Sequence, residues 1–136
     1  MGVEIEPVRT AAAGPPGAHY SQAMRAGDRV WTAGAVGTEP GTGKVADGFE
    51  AQVRRAIENV RSTLEAAGTD LSRVVKTTCF VTRREDFARL DPIYSKYFPA
   101  PPPARTTIVC GLVSEEFLFE IEAVAVVPGP DRMLRA

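Results

Sequence analysis

The chain is poor in the features that announce a partner. No run of lysine or arginine stands out among its 136 residues, and the net charge is −1. Nucleic-acid phosphates are held by a basic footprint, so nucleic acid is not expected as the main partner. Its apolar runs are far too short to span a bilayer. The first ten residues, MGVEIEPVRT, hold no apolar core of the kind a secretory leader needs. The expectation is a cytoplasmic protein with no membrane contact. One histidine and two unclustered cysteines are too few soft ligands for a protein metal site. Cys79 and Cys110 both fall in expected strands and read as reduced, buried small hydrophobes. Repeats and internal linkers are also missing. At 44% hydrophobic and 24% charged, the composition fits one ordinary domain over residues 1–136 with a substantial core.

Taken in order, residues 3–9 read as a short first strand. The Gly/Pro/Ala loop 11–18 follows, closed to helix by Pro15 and Pro16. Residues 19–37 read as two strands joined by a turn at Ala26-Gly27-Asp28-Arg29. The GTEPGTGKV that comes next resembles a phosphate loop only superficially. Five residues, not four, separate Gly37 from Gly43, and Val45 stands where Ser or Thr is required. It reads as a turn. Asp47 to Gly68 is the clearest helix, with Phe49, Val53, Ile57, Val60, Leu64 and Ala67 in steps of three and four. Asp47 with Glu50 forms a capping arrangement, Glu50 and Arg54 an i,i+4 pair, and Gly68 a C′ residue. Arg54, Arg55, Glu58, Arg61 and Glu65 take the solvent side. Residues 74–82 form a β-branched strand. A second helical region spans 86–98 and restarts at Asp91-Pro92, with Asp91 as N-cap and Pro92 at N1; Ile93, Tyr94 and Tyr97 face inward. PAPPP (99–103) ends it, and the tail after Val127 looks loose. This order of elements is that of an α+β domain with its helices on one sheet face.

The stretch from Arg105 to Val127 poses a question. It reads as two strands joined by a short polar loop. The second strand is apolar on both faces, Phe117, Phe119, Ile121, Ala123 and Ala125 on one, and Leu118, Val124 and Val126 on the other, so cover on both faces is expected. Glu120 and Glu122 share the second face. A carboxylate there must be paired, hydrogen-bonded or protonated. It is either part of a structural ion pair or an acid/base group facing a pocket, with Arg105 as an anion clamp.

Over nearly its whole length the chain resembles the RidA/YjgF family of reactive-intermediate deaminases, also described as "endoribonuclease L-PSP". The pieces that carry the resemblance are Tyr20-Ser21-Gln22-Ala23, Gly34, Thr42-Gly43-Lys44-Val45, Gln52, Asn59-Val60, Leu64-Glu65-Ala66-Ala67-Gly68, Val74-Val75-Lys76-Thr77-Thr78, Asp86-Phe87-Ala88, Tyr94, Phe98, Pro103-Ala104-Arg105 and Glu120-Ile121-Glu122-Ala123. The resemblance implies a chorismate-mutase-like fold, a mixed sheet with two helices on one face. It implies a homotrimer with pockets between subunits. It implies hydrolysis of carboxylate-bearing enamine/imine intermediates such as 2-aminoacrylate to 2-keto acids and ammonia, with neither metal nor organic cofactor. On this reading Arg105 binds the substrate carboxylate, since its planar fork suits one. Glu120 holds the attacking water and moves protons, while Glu122 is structural. Thr107 lies where further substrate contacts are made, and Tyr20 is a pocket tyrosine from a neighbouring subunit.

The chain departs from the common pattern along the remaining wall. Ala18-His19 replaces Gly-Pro, Ala33-Gly34-Ala35 replaces Ser-Gly-Gln, Asp91 replaces Asn, Thr107 replaces Cys, and Val113-Ser114 replaces Leu-Pro. A roomier or less polar wall around Ala33 and Gly34 is expected. His19 adds a group that titrates near neutrality, either a loop residue or a second-tier site residue. Competing readings are a pathway-specialised member acting on a bulkier substrate, and a non-catalytic small-molecule-binding or chaperone-like trimer on the same scaffold. A ribonuclease is disfavoured by the acidic balance and the want of a histidine-based acid/base pair.

Overall fold

The structure is a computed structural model, described for residues 2–129. Most of the tail that reads as loose lies outside the described residues. Seven strands form one sheet: β1 (Ile5–Val8), β2 (Ala23–Ala26), β3 (Arg29–Thr32), β4 (Ala35–Val36), β5 (Val74–Val81), β6 (Ala104–Val109) and β7 (Phe119–Val126). Their spatial order is β1-β2-β3-β7-β5-β6, and β4 pairs with β7 beyond the end of β3. Among the described residues only β5–β6 is parallel; the other pairs are antiparallel. Among the described residues the two α-helices are α1 (Phe49–Ala66) and α2 (Asp91–Tyr97), with short 3-10 turns at Leu71–Arg73 and Arg84–Arg89. The α+β order and the mixed sheet are as the sequence implies. The first helical stretch of 86–98 is instead 3-10, and residues 23–36 hold three strands rather than two.

The β2–β3 hairpin turns at Gly27-Asp28, where Gly27 takes φ 62, a conformation that costs glycine nothing. The α1 stripe lies as its periodicity requires, burying Phe49, Val53, Ile57, Val60 and Leu64. Its start differs from expectation. The N-cap is Gly48 (φ 88), without a side-chain cap, so Asp47 caps nothing. Glu50 pairs with Arg89 rather than Arg54, accepting from Nη1 at 2.9 Å. Gly68 (φ 93) is the C′ residue expected. Two buried amides then tie α1 to the sheet side. Gln52 bonds Ala46 O, Glu116 O and Leu118 N. Asn59 Nδ2 donates to Val36 O and Thr38 O, fixing β4. Gly37 lets the chain pass close by, since a Cβ there would stand 2.6 Å from Gln52 Cα.

The sheet has one covered face and one open one. In β7, Phe119, Ile121, Ala123 and Ala125 are buried in the core shared with α1. The expectation that both faces of this strand are covered fails within one chain. Glu120, Val124 and Val126 are half-buried and Glu122 is exposed. Neighbouring strands leave Trp31 (44%) and Ile108 (41%) exposed as well. Phe117 falls short of β7 and is half-buried, outside the core face assigned to it. Cys79 is buried, whereas Cys110 lies one residue past β6 and is half-buried. Ile93 and Tyr94 are buried, but Tyr97 is half-exposed, with the Arg61 guanidinium 5.4 Å from its ring centre.

Candidate functional site

The expected site residues fall into two groups, separated by the pleat of the sheet. Side chains of residues paired across neighbouring strands point to the same face, and successive residues alternate. Arg105 pairs with Thr77, which pairs with Ala123; Thr107 pairs with Cys79, which pairs with Ile121. Arg105 and Thr107 therefore lie on the helix-covered face. Glu120 pairs with Phe80, which pairs with Ile108, so it lies on the open face. In addition, β5 stands between β6 and β7. Arg105 and Glu120 consequently do not share a half-site within one chain. They are consecutive strands in sequence, but not neighbours in space.

The first group surrounds Arg105. Its guanidinium carbon stands 4.7 Å from the Tyr94 ring centre and 6.0 Å from that of Phe87. Cation–π contacts of this kind hold the planar group in one orientation. Nη1 donates to Asp91 Oδ1 at 2.7 Å. Asp91 is the first residue of α2, whose N-cap is Leu90 without a side-chain cap; the expected capping role is replaced by this ion pair. Below them the Tyr94 hydroxyl shares a 2.7 Å hydrogen bond with Thr77 Oγ1, and burial pushes the Tyr94 phenol up, against that bond. Burial also pushes the Cys79 thiol up to about 12, so it is no nucleophile at neutral pH. Asp91, Tyr94, Phe98, Pro103 and Arg105 line a cleft of about 730 Å³.

The second group surrounds Glu120. A cleft of about 640 Å³ brings Glu120 together with Tyr20, Ala33, Gly34, Phe117 and Val113. The carboxyl rests on the backbone of Gly34. A Cβ at that position would stand 2.8 Å from Glu120 Cδ and nearer still to Oε2, so glycine is required for this rotamer. The Glu120 carboxyl has no described hydrogen bond or ion pair. Burial pushes its pKa above the ordinary carboxylate range, and the neighbouring Glu122 pushes the same way. Tyr20, half exposed, shares this cleft with Glu120 of its own chain; its hydroxyl accepts from Gly17 N at 3.1 Å. The wall is apolar around Ala18 and Ala33. His19 is exposed in the adjoining loop and does not line the Glu120 cleft.

Sequence reasoning missed Phe87 and Phe117 as site residues and did not give Tyr94 a role at Arg105. Tyr94 was within reach, since Asp91 and Tyr94 stand i,i+3 on one helix face. Phe87 and Phe117 carry no local signal, because their places depend on how a 3-10 turn and a loop fold over distant strands. Among the described residues no three His, Cys, Asp or Glu side chains are grouped to hold a metal, and no helix is long and apolar enough to cross a membrane.

Residues 10–127 match the family model described as Endoribonuclease L-PSP. The chain belongs to this family. A 2-iminobutanoate/2-iminopropanoate deaminase of Salmonella typhimurium is 39% identical over 119 residues, covering 85% of this chain and 90% of the relative. A chloroplastic Reactive Intermediate Deaminase A of Arabidopsis thaliana is 41% identical over 116 residues, covering 85% of this chain and 60% of the relative. Among solved structures, a putative endoribonuclease of Thermotoga maritima superposes with a TM-score of 0.86 at 35% identity, covering 91% of this chain and 98% of the other. Some L-PSP relatives thus carry deaminase names, while others, such as one from Pyrococcus abyssi at 36% identity, are named only as RutC family proteins.

Proposed function

We propose that this protein hydrolyses reactive 2-imino acids to 2-keto acids and ammonia, in pockets completed between copies of the chain in a homotrimer. The observation that carries the reading is Glu120, a carboxyl in an apolar cleft with no cation against it among the described residues and a pKa raised by burial. Such a group can take a proton from water and return it to a leaving nitrogen. Arg105, oriented by Tyr94 and Phe87, supplies the carboxylate-binding fork.

The reaction needs both. Water adds to the C=N carbon, and Glu120 carries the proton it releases to the nitrogen, giving a neutral carbinolamine. Glu120 then takes the carbinolamine hydroxyl proton and delivers it to the nitrogen, so that the carbonyl forms as ammonia leaves. Atoms balance with water as the only co-reactant, and no group beyond side chains is called for. Arg105 and Glu120 lie on opposite faces of their own sheet, so one substrate meets both only if a second copy brings its Arg105 cleft against the first copy's Glu120 cleft. The open sheet face, with Trp31 and Ile108 exposed, is apolar surface such an assembly would cover.

Mixing two inactive variants tests this directly. Arg105→Ala and Glu120→Gln chains, each inert alone, are co-expressed and purified together. Pockets drawing one residue from each of two copies are intact in about a quarter of random pairings, so keto-acid release from a 2-imino acid returns to about a quarter of the wild-type rate. No recovery, with both variants folded and co-assembled, refutes a pocket shared between copies.

A further inference from the structure

Asp91 stands in the first turn of α2, where a carboxylate suits the helix N-terminus whichever way its side chain turns. It caps nothing, its carboxylate is 66% exposed, and its one described hydrogen bond goes to Arg105. Arg105 itself is 20% exposed and needs no help to stay in place, with Tyr94 and Phe87 beside it. An anion clamp would be stronger without an anion already on it. The pair also leaves capacity on both sides. Of five guanidinium N–H groups, the described bond uses one, at Nη1, and Asp91 Oδ2 takes no hydrogen bond among the described residues. A positive and a negative group therefore stand side by side, 2.7 Å apart, at the wall of the 730 Å³ cleft.

We propose that Asp91 is a binding residue for the substrate's nitrogen, and that the Arg105–Asp91 pair recognises its ligand as a zwitterion, a carboxylate with a protonated nitrogen on the adjacent carbon. This rests on the imine-hydrolysis reading above and narrows it to the iminium form. A 2-iminium carboxylate holds its nitrogen about 3 Å from a carboxylate oxygen, a separation fixed by bond lengths and angles. That spacing matches the pair's own. Arg105 donates to the carboxylate and Asp91 Oδ2 accepts from the iminium N–H. Protonation makes the C=N carbon the better electrophile, so a carboxylate that holds that proton favours attack by water. The balance is then iminium carboxylate plus water giving keto acid and ammonium, with no net proton exchanged.

The charged and titratable groups facing Asp91 are Arg105 from β6, Cys79 from β5 and Tyr94 from its own helix. Burial pushes both Tyr94 and Cys79 up, away from neutrality, so neither supplies a titration there. The variant that tests the Asp91 charge is Asp91→Asn, which keeps the shape and removes the charge.

Two measurements decide the matter on the assembled protein. In the first, calorimetry compares proline with cyclopentanecarboxylate, rings of the same size with and without the ammonium group. The wild type prefers proline. Asp91→Asn lowers that preference about tenfold, the equivalent of one pH unit of charge interaction, and Asp91→Glu keeps it. In the second, the alkaline limb of the kcat profile for a 2-imino acid made in situ by an amino-acid oxidase moves down by about one pH unit in Asp91→Asn, because an opposite charge nearby holds a cation protonated. An unchanged proline preference overturns the proposal. So does an equal gain for both rings, which would mean that Asp91 merely neutralises Arg105. Binding needs no turnover. A protein that shows the preference but releases no keto acid refutes the hydrolysis reading alone, whereas an active protein whose preference ignores Asp91 refutes this one alone.

Discussion

Asp86 and Glu120 are both drawn out of water, and the two respond in opposite directions. Asp86 is fully buried and receives Arg83 Nε at 3.0 Å, Arg83 Nη2 at 3.1 Å and an ion pair from Arg89. Burial alone pushes its carboxyl up, but the hydrogen bonds and charge of Arg83 and Arg89 reverse that and leave it below the ordinary range. Glu120 is less buried and has no such partner, so burial and Glu122 together leave it above that range. Withdrawal from water thus does not by itself set the direction of the shift; the cations beside Asp86 do. Asp86 organises the 3-10 turn before α2, and Arg89 carries the link on to Glu50 of α1. Among the described residues Glu120 accepts no hydrogen bond and joins no ion pair, which leaves its lone pairs available to the proposed substrate water.

Removing the two charges is the sharpest way to break the contrast. Glu120→Gln keeps the volume over Gly34 and removes the proposed proton carrier. Turnover falls about 10²- to 10⁴-fold, the usual worth of a positioned acid/base group, while the unfolding midpoint stays level or rises. Steady-state keto-acid release and denaturant unfolding on the same preparation check both halves. A variant that retains full activity removes Glu120 from the chemistry.

Asp86→Asn is the converse. It forfeits charge-assisted hydrogen bonds to two arginines and costs about 2 kcal/mol of stability, read as a lower denaturant midpoint with unchanged slope. Activity per folded molecule changes little. If instead activity falls while the midpoint holds, the turn before α2 positions the Phe87 and Arg105 cluster more directly than its hydrogen bonds indicate.

How far the sequence carried the reading follows the same division. Helix α1 and strands β5 and β7 were legible because periodicity is local: Val53, Ile57, Val60 and Leu64 need only their own spacing to declare a buried stripe. Glu120 was legible as an anomaly in an apolar strand. Its relation to Arg105 was not. Which strand lies between β6 and β7 depends on β5, some 30 residues upstream of Arg105, and a strand inserted between two others decides which of their faces correspond. The Glu120 wall was visible as Ala33-Gly34-Ala35, but the reason for Gly34, a carboxyl lying on its backbone, came from a residue 86 positions away. Asp91 illustrates the limit of local rules: Asp before Pro has a capping signature, yet its side chain turns to an arginine that becomes a neighbour only after β6 pairs with β5.

The smallest effect is the dependence of stability on pH, and its sign separates the two carboxylates without any substrate. Asp86 has a lowered folded pKa, so the unfolded chain binds the proton first as pH falls. Its contribution is complete above the ordinary carboxylate range and disappears as pH drops through the folded value. Glu120 has a raised folded pKa, so the folded chain keeps a proton that the unfolded chain has lost. Its contribution is most favourable in acid and declines as pH rises through the folded value. Unfolding curves for the wild type and both variants from about pH 4 to pH 7 therefore diverge: the deficit of Asp86→Asn widens with pH, and Glu120→Gln gains on the wild type by a few tenths of a kcal/mol, its half-exposed carboxyl being screened by water. Deeper burial in the proposed trimer would only enlarge that gain. A Glu120→Gln protein that instead loses ground as pH rises would place a cation in direct contact with Glu120 in the assembled protein. A neighbour's Arg105 in that contact would leave no room between them for a substrate, whereas an Arg105 held to its own Asp91, with a substrate between it and Glu120, preserves the predicted sign.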